Sequence, residues 1–319
     1  MDETLPGPPE TSDASPQPIA PPPSPLKKIF IGRDGIRAGW GILIFVAAFV
    51  VLLIGLHAFS HHVLHHVPPP KDAPRSLHAI LISEILSVVF TAIATWLMSR
   101  IEKRPFSAYG LGGTRRFPLF ANGLFWGFFF ISLLVGALQM THHISFDPSH
   151  ATLHTALKYG AVWGAIFLLV GFFEEMFTRG YMLWTLWRGV GFWWGALILG
   201  VAFGAMHGKN PGETPVGLIS AGAVGFVFCL SIWYTRSLWW AIGAHAAWDW
   251  GQTFFYGASD SGLPTKGSFF VAHPQGGALM SGGATGPEGS LLIFPILILM
   301  TAVIYLTQRH HAAPESTSP

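Results

Sequence analysis

Charge is what this chain has least of. Of its 319 residues only 11% are Asp, Glu, Lys or Arg, less than half the roughly 25% of a soluble globular domain. With mean hydropathy at +0.47, that deficit argues against a cytosolic enzyme, a nucleic-acid binder and a disordered scaffold. A net charge of +2 is too small to imply an anionic partner, and no nucleic acid is expected. A single cysteine, Cys229, excludes a disulfide framework and a Cys-ligated zinc site. It sits in an apolar run and reads as a small core residue. What is plentiful instead is apolar: 51% hydrophobic residues and 14% aromatic.

A spanning helix needs about 20 mostly apolar residues. Eight stretches qualify as candidates: 38–59, 77–98, 119–140, 157–187, 190–207, 215–235, 237–256 and 290–307. The expected fold is therefore all-α, a polytopic membrane bundle of about eight transmembrane helices over residues 36–309. Ahead of it, residues 1–26 hold nine of the 24 prolines and no aromatic. Such a segment buries too little to offset its ordering entropy, so a disordered tail is expected over 1–35. A second short tail follows at 310–319. No apolar run long enough for a cleavable signal peptide follows Met1.

Lys and Arg in the connections orient a bundle, because they concentrate on the cytoplasmic side. With eight spans and the N-terminus inside, thirteen fall inside, and Lys71, Arg75, Lys158, Lys209 and Lys266 fall outside. Both termini are thus expected in the cytoplasm, with the body in the plasma (inner) membrane. The outer connection 257–289 carries nine glycines and reads as a loop folded back over the bundle. Trp193-Trp194 and Trp239-Trp240 read as interfacial belts.

A charge at the bilayer centre costs at least about 2.5–3.5 kcal/mol on insertion scales, so ionisable residues within spans mark an interior site. Glu174-Glu175-Met-Phe-Thr-Arg179 lies in the fourth span. Glu175 and Arg179 are spaced i,i+4 and share a helix face, where a structural clamp is the plain reading. Glu174 points about 100° away and needs another partner. Phe203-Gly-Ala-Met-His207 ends the fifth span, and His245-Ala-Ala-Trp-Asp249 lies in the seventh, again i,i+4. Glu84 stands by itself in the second span and reads as structural. At 1.5 Å per residue from turns near Gly189 and Arg236, Glu174 lies about 22 Å up, Asp249 about 20 Å, His245 about 14 Å and His207 about 27 Å. One polar pocket inside the bundle can gather them.

In this order on successive spans, Glu174-Glu175-x-x-x-Arg179, Phe203-x-x-x-His207 and His245-x-x-x-Asp249 resemble the CPBP family. That family includes type II CAAX prenyl endopeptidases and bacterial Abi-type intramembrane proteases. The resemblance covers about residues 150–256 and implies an eight-helix fold that hydrolyses peptide bonds within the membrane. It implies Glu174 as the general base that activates water, assisted by His207. His245 and Asp249 would stabilise the oxyanion or orient the water, while Glu175 and Arg179, with Phe203, support the site. Hydrolysis needs those parts: an activated water, an oxyanion stabiliser and a proton for the leaving amine. One position departs, since the eukaryotic CAAX members carry Asn where this chain has Asp249. Asn donates an N–H to an oxyanion and an ionised Asp does not, so Asp249 is either protonated or orients His245.

No cofactor is required on this reading. Zinc, held by Glu174, His207, His245 and Asp249, is the rival mechanism, although no His-Glu-x-x-His helix is present. The His61-His62-x-x-His65-His66 and His142-His143 clusters read as solvated loop residues. A serine nucleophile in a Gly-x-Ser setting is absent from the spans. The expected partners are a membrane-associated peptide or protein substrate, not necessarily prenylated, and the lipid bilayer itself. The alternative from another class is a non-catalytic scaffold, immunity-type protein or transporter that keeps the same fold.

Overall fold

The computed structural model describes residues 29–32, 35–65, 76–149, 151–260 and 266–311. Residues 1–28 of the tail expected over 1–35 and 312–319 of that expected over 310–319, together with His66, Lys71 and Arg75, lie outside the described residues. Within the expected N-terminal tail, a short antiparallel pair forms instead, β1 (Ile31–Gly32) with β2 (Gly35–Ile36). The mainly helical body then follows in chain order: α1 (Ala38–His62), α2 (Leu77–Glu102), α3 (Arg116–Met140), α4 (Leu153–Val190), α5 (Phe192–Met206), α6 (Pro215–Thr235), α7 (Trp239–Trp250) and α8 (Ile293–Gln308).

Five of these, α1, α2, α3, α4 and α6, are long and apolar enough to cross a membrane. The expected count of eight spans is not confirmed by helix length and apolarity. At 15, 12 and 16 residues, α5, α7 and α8 fall short of the length that spanning takes. The polar stretches that carry chemistry also end α5 and α7: α5 gives way to a 3₁₀ turn at His207–Lys209, and α7 to a π-helical segment, Gly251–Phe255. In α4, 38 residues long, the helix is likewise π-wound over Glu175–Met182.

Short polar residues begin the helices, as their chemistry dictates. Ser76 accepts from the Ala79 N–H at the start of α2, Thr152 from Thr155 ahead of α4, and Thr214 from Gly217 ahead of α6. Side-chain clusters then tie the helices together. Glu102, at the end of α2, accepts from Tyr181 Oη at 2.5 Å and from Arg188 Nη2 at 2.7 Å, both on α4. Asn122 Oδ1 on α3 accepts from Trp240 Nε1 of α7 at 2.9 Å and Gln308 Nε2 of α8 at 3.3 Å. Trp240 is therefore a fully buried core residue and no interfacial belt, whereas Trp193 and Trp194 are exposed. Cys229 is a free, fully buried thiol, as expected.

Lipid tails are as apolar as leucine, so helices in a bilayer associate chiefly through close packing, with small residues at the contact. The pairing of α3 with α7 follows this rule. A Cβ on Gly123 would lie 2.2 Å from the Trp240 carbonyl oxygen, and one on Gly127 would lie 2.1 Å from that of Ala244. Only hydrogen fits there, and α7, which carries His245 and Asp249, is seated by that contact.

The Gly-rich connection does fold back. Strand β3 (Ile144–Pro148) pairs antiparallel with β4 (Phe270–Pro274), with Ile144 opposite Pro274 and Pro148 opposite Phe270. Trp163 Nε1 on α4 donates to the Lys266 carbonyl at 3.0 Å. These two strand pairs are the additions to an otherwise helical expectation.

Replacing Gly127 by Ala should lower the thermal midpoint in detergent by the equivalent of about 1–3 kcal/mol, the usual cost of forced overpacking. Gly136→Ala on the same helix, where a Cβ meets nothing within 4 Å, should leave it unchanged. Equal melting of both variants would contradict the close α3–α7 contact.

Candidate active site

The site grows from one carboxylate. Glu175 opens the π-wound segment of α4 and is completely buried. Its Oε1 accepts from Arg179 Nη1 at 2.9 Å and from His245 Nδ1 at 2.9 Å. The first contact is the expected i,i+4 pair. The second, from α7, was not foreseen: Glu175 does more than brace its own helix. An ionised carboxylate only accepts, so the His245 Nδ1 carries the hydrogen, and the imidazole is locked with Nε2 facing the other way. On that side Nε2 lies 3.4 Å from Asp249 Oδ2 and 3.7 Å from Glu174 Oε2. Glu174, His245 and Asp249 thus come together as the depth arithmetic required.

Arg179 is fully buried too, and its guanidinium lies over the Phe203 ring, with Cζ 4.2 Å from the centroid. The opposite wall is Gly225 of α6, where a Cβ would sit 2.3 Å from Arg179 Nη2. Any other residue would displace the cation. Phe203 links Arg179 to His207, whose ring centroid is 4.6 Å from its own. The His207 Nδ1 donates to the Phe203 carbonyl oxygen at 2.8 Å, since a carbonyl can only accept. That leaves Nε2 as its exchangeable nitrogen. Among the described residues His207 makes no hydrogen bond or ion pair with Glu174, His245 or Asp249. Glu84 sits half-buried on α2.

Both π-wound segments begin beside this cluster, one directly after Glu174 and the other directly after Trp250, which follows Asp249. A π turn shifts the register of side chains by a fraction of a turn, which is why such segments recur where side chains must be aimed. Glu174 Oε2 is shielded from solvent yet accepts no hydrogen bond from the described residues, so it is free to take one from a substrate or a water. No group of three or more His, Cys, Asp or Glu among the described residues is arranged to hold a metal ion.

Two acids were missed by the sequence reading. Asp260 and Glu288 belong to the folded-back loop; Asp260 is buried and Glu288 half-buried, and they meet Thr253 and Gln252 of the π-helical segment that follows α7. Gln252, itself fully buried, accepts from Trp248 Nε1 at 3.1 Å and donates from Nε2 to the Ser259 carbonyl at 2.7 Å and Glu288 Oε2 at 2.6 Å. Thr253 Oγ1 donates to Asp260 Oδ2 at 3.1 Å. Burial pushes the Asp260 carboxyl up to about 6, against the opposing Thr253 hydrogen bond, with His245, Glu174 and His207 all close enough to act on its charge. Burial likewise raises Glu288, with Asp260 adding to the shift. The signal available beforehand was only an acid in a Gly-rich loop, since nothing in a linear sequence says which loop acids are covered.

The pH dependence has a definite sign. An acid raised on folding binds more protons in the folded than in the unfolded state between its two values, so stability falls as pH rises through that window. Folding stability in detergent should therefore decline from about pH 4 to about pH 6 through Asp260, and Asp260→Asn should flatten that part of the melting-temperature profile. An unchanged slope in the variant would remove the buried-acid assignment.

No curated protein and no solved structure matches the chain. A match does exist at the level of families, and it falls on the segment that carries every residue of the Glu174–Glu175–Arg179, Phe203–His207 and His245–Asp249 constellation: residues 156–251 match the family of type II CAAX prenyl endopeptidases described as Rce1-like.

Proposed function

We propose that the protein is an intramembrane endopeptidase that hydrolyses a peptide bond of a membrane-associated substrate of the CAAX type, by a glutamate and without a metal. The observation that carries this reading is the His245 imidazole, fixed at Nδ1 by Glu175 and set with Nε2 between Glu174 and Asp249. The match of residues 156–251 to the Rce1-like family supports it.

In this scheme water donates a hydrogen bond to the unpartnered Glu174 Oε2. Glu174 takes the proton as the water oxygen attacks the scissile carbonyl carbon, and the carbonyl π electrons move onto oxygen. The resulting oxyanion is stabilised by imidazole N–H donors, His207 Nε2 in its protonated form being the candidate on the far side from Glu174. Collapse breaks the C–N bond, and the proton held by Glu174 passes to the departing amine, so atoms and charge balance. His245 orients Glu174 and the water, and Asp249 orients His245. This role fits an acid better than direct oxyanion donation, and it accounts for Asp at a position where CAAX members carry Asn. The reading puts the chain in the plasma (inner) membrane with both termini cytoplasmic, an orientation that the Lys and Arg distribution supports.

Glu174→Gln keeps the shape and removes the base. Cleavage of a membrane-anchored fluorogenic peptide by the purified protein should then fall about 10²–10⁴-fold, the usual span for a positioned acid–base group, with the melting temperature retained. His207→Ala should fall similarly. Normal turnover by both variants would end the peptidase assignment. Exhaustive chelation should leave the native rate intact; loss of activity that zinc restores would replace the glutamate mechanism with a metal-dependent one.

A further inference from the structure

At the end of the bundle where the α2–α3 and α6–α7 connections meet lies a cavity of about 470 Å³. Arg115, Arg116 and Arg236 line it together with Gly110, Gly112 and Gly113, and no acidic residue contributes to its wall. Three cations around one space with no anion is an unbalanced arrangement. Among the described residues Arg115 and Arg116 have no carboxylate partner, and α3 begins there without a side-chain cap and without an acid in its first turn. Its leading N–H groups and the positive end of its dipole therefore add to the same potential. Arg236 ends α6 with φ +55°, a left-handed conformation that glycine usually fills. Its guanidinium is stacked on Trp187, 4.1 Å from the ring centroid, and on Trp233 at 5.0 Å. Its Nε and Nη1 are shut off from solvent and have no hydrogen-bond partner among the described residues. Buried donors in a native fold ordinarily have a partner.

The level of the cavity tells which anion it meets. Arg116 is the first residue of α3 and Arg236 directly follows α6, and both helices are long and apolar enough to cross a membrane. Their ends therefore lie where hydrocarbon gives way to water, which is headgroup depth. Phe117, beside Arg116, is 79% exposed, an apolar side chain suited to acyl chains, while Leu119 closes the cavity from within. Basic pockets between spanning helices at this depth suit phosphate-bearing headgroups. We propose that this cavity binds the phosphate of an anionic phospholipid, held by Arg115, Arg116 and Arg236 and by the first N–H groups of α3. The site is separate from the Glu174 cluster and does not depend on the peptidase reading.

The test uses the full chain, purified in non-ionic detergent micelles, with phosphatidylglycerol and phosphatidylcholine as probes and native mass spectrometry to count retained lipid. One phosphatidylglycerol should be retained in preference to phosphatidylcholine, and added salt should weaken it. At about fivefold per interfacial cation, the exposed pair Arg115→Gln/Arg116→Gln should lose on the order of twentyfold in affinity while its lipid-free melting temperature stays native. Arg100→Gln, an exposed cation at the end of α2, should bind as the native chain does. Equal retention of the two lipids, native affinity in the double variant, or the same loss in Arg100→Gln would each overturn the site. A melting-temperature rise with inorganic phosphate alone, as large as that with phosphatidylglycerol, would overturn the lipid as the source of the phosphate.

Discussion

A carboxylate with no access to water must be neutralised where it stands, because removing one partner of a buried pair costs about 3–5 kcal/mol. Glu175 meets that demand twice with a single oxygen, once from Arg179 on its own helix and once from His245 across the bundle. The rest of the site follows from this bifurcated contact. It fixes which imidazole nitrogen carries hydrogen, and it turns the other toward Glu174 and Asp249. It also fixes Arg179, whose flat cation then needs a ring beneath it and empty space above, supplied by Phe203 and Gly225. Four helices are thereby committed to one geometry by one charge.

The bilayer explains why the scaffold can hold so demanding a cluster. Burial of apolar surface drives little association among helices that are already in hydrocarbon. Close backbone contact at Gly123 and Gly127, and polar links such as Asn122 with Trp240 and Gln308, take its place. The short helix α7 depends on this seat most, since it ends after 12 residues where the π-wound turn begins. Gln252 in that turn then joins the helix to Ser259 and Glu288 of the covering loop. The loop is thus part of the wall of the site, which is why Asp260 lies within electrostatic reach of both histidines.

Much of this was legible in the linear sequence, for a physical reason. Charges in apolar runs are costly, so each one advertises an interior position, and helical rise converts sequence separation into depth. That arithmetic put Glu174 and Asp249 on one level, and their common neighbour His245 bears it out. The i,i+4 pair Glu175–Arg179 was equally readable, being local. What escaped were features set by other elements: the His245 contact to Glu175, the space kept open by Gly225, and the burial of Asp260 and Glu288. The count of eight spans, read from hydropathy, is matched in length and apolarity by five helices among the described residues. Hydropathy counts apolar residues, but whether a helix persists through Met206-His207 or Trp250-Gly251 is decided by the turn chemistry and packing found there.

The two histidines illustrate how far one residue type can be differentiated by its neighbours. Each has its Nδ1 hydrogen committed, but His245 gives it to a carboxylate and His207 to the Phe203 carbonyl. Nε2 of His245 also faces two acids at 3.4 and 3.7 Å, whereas His207 reaches the cluster only through the Phe203 ring and the more distant field of Asp260. Equal spacing in the sequence, a partner four residues away in both cases, therefore leads to unequal chemistry. His245 is bound into the acid cluster, and His207 keeps its exchangeable nitrogen apart from it.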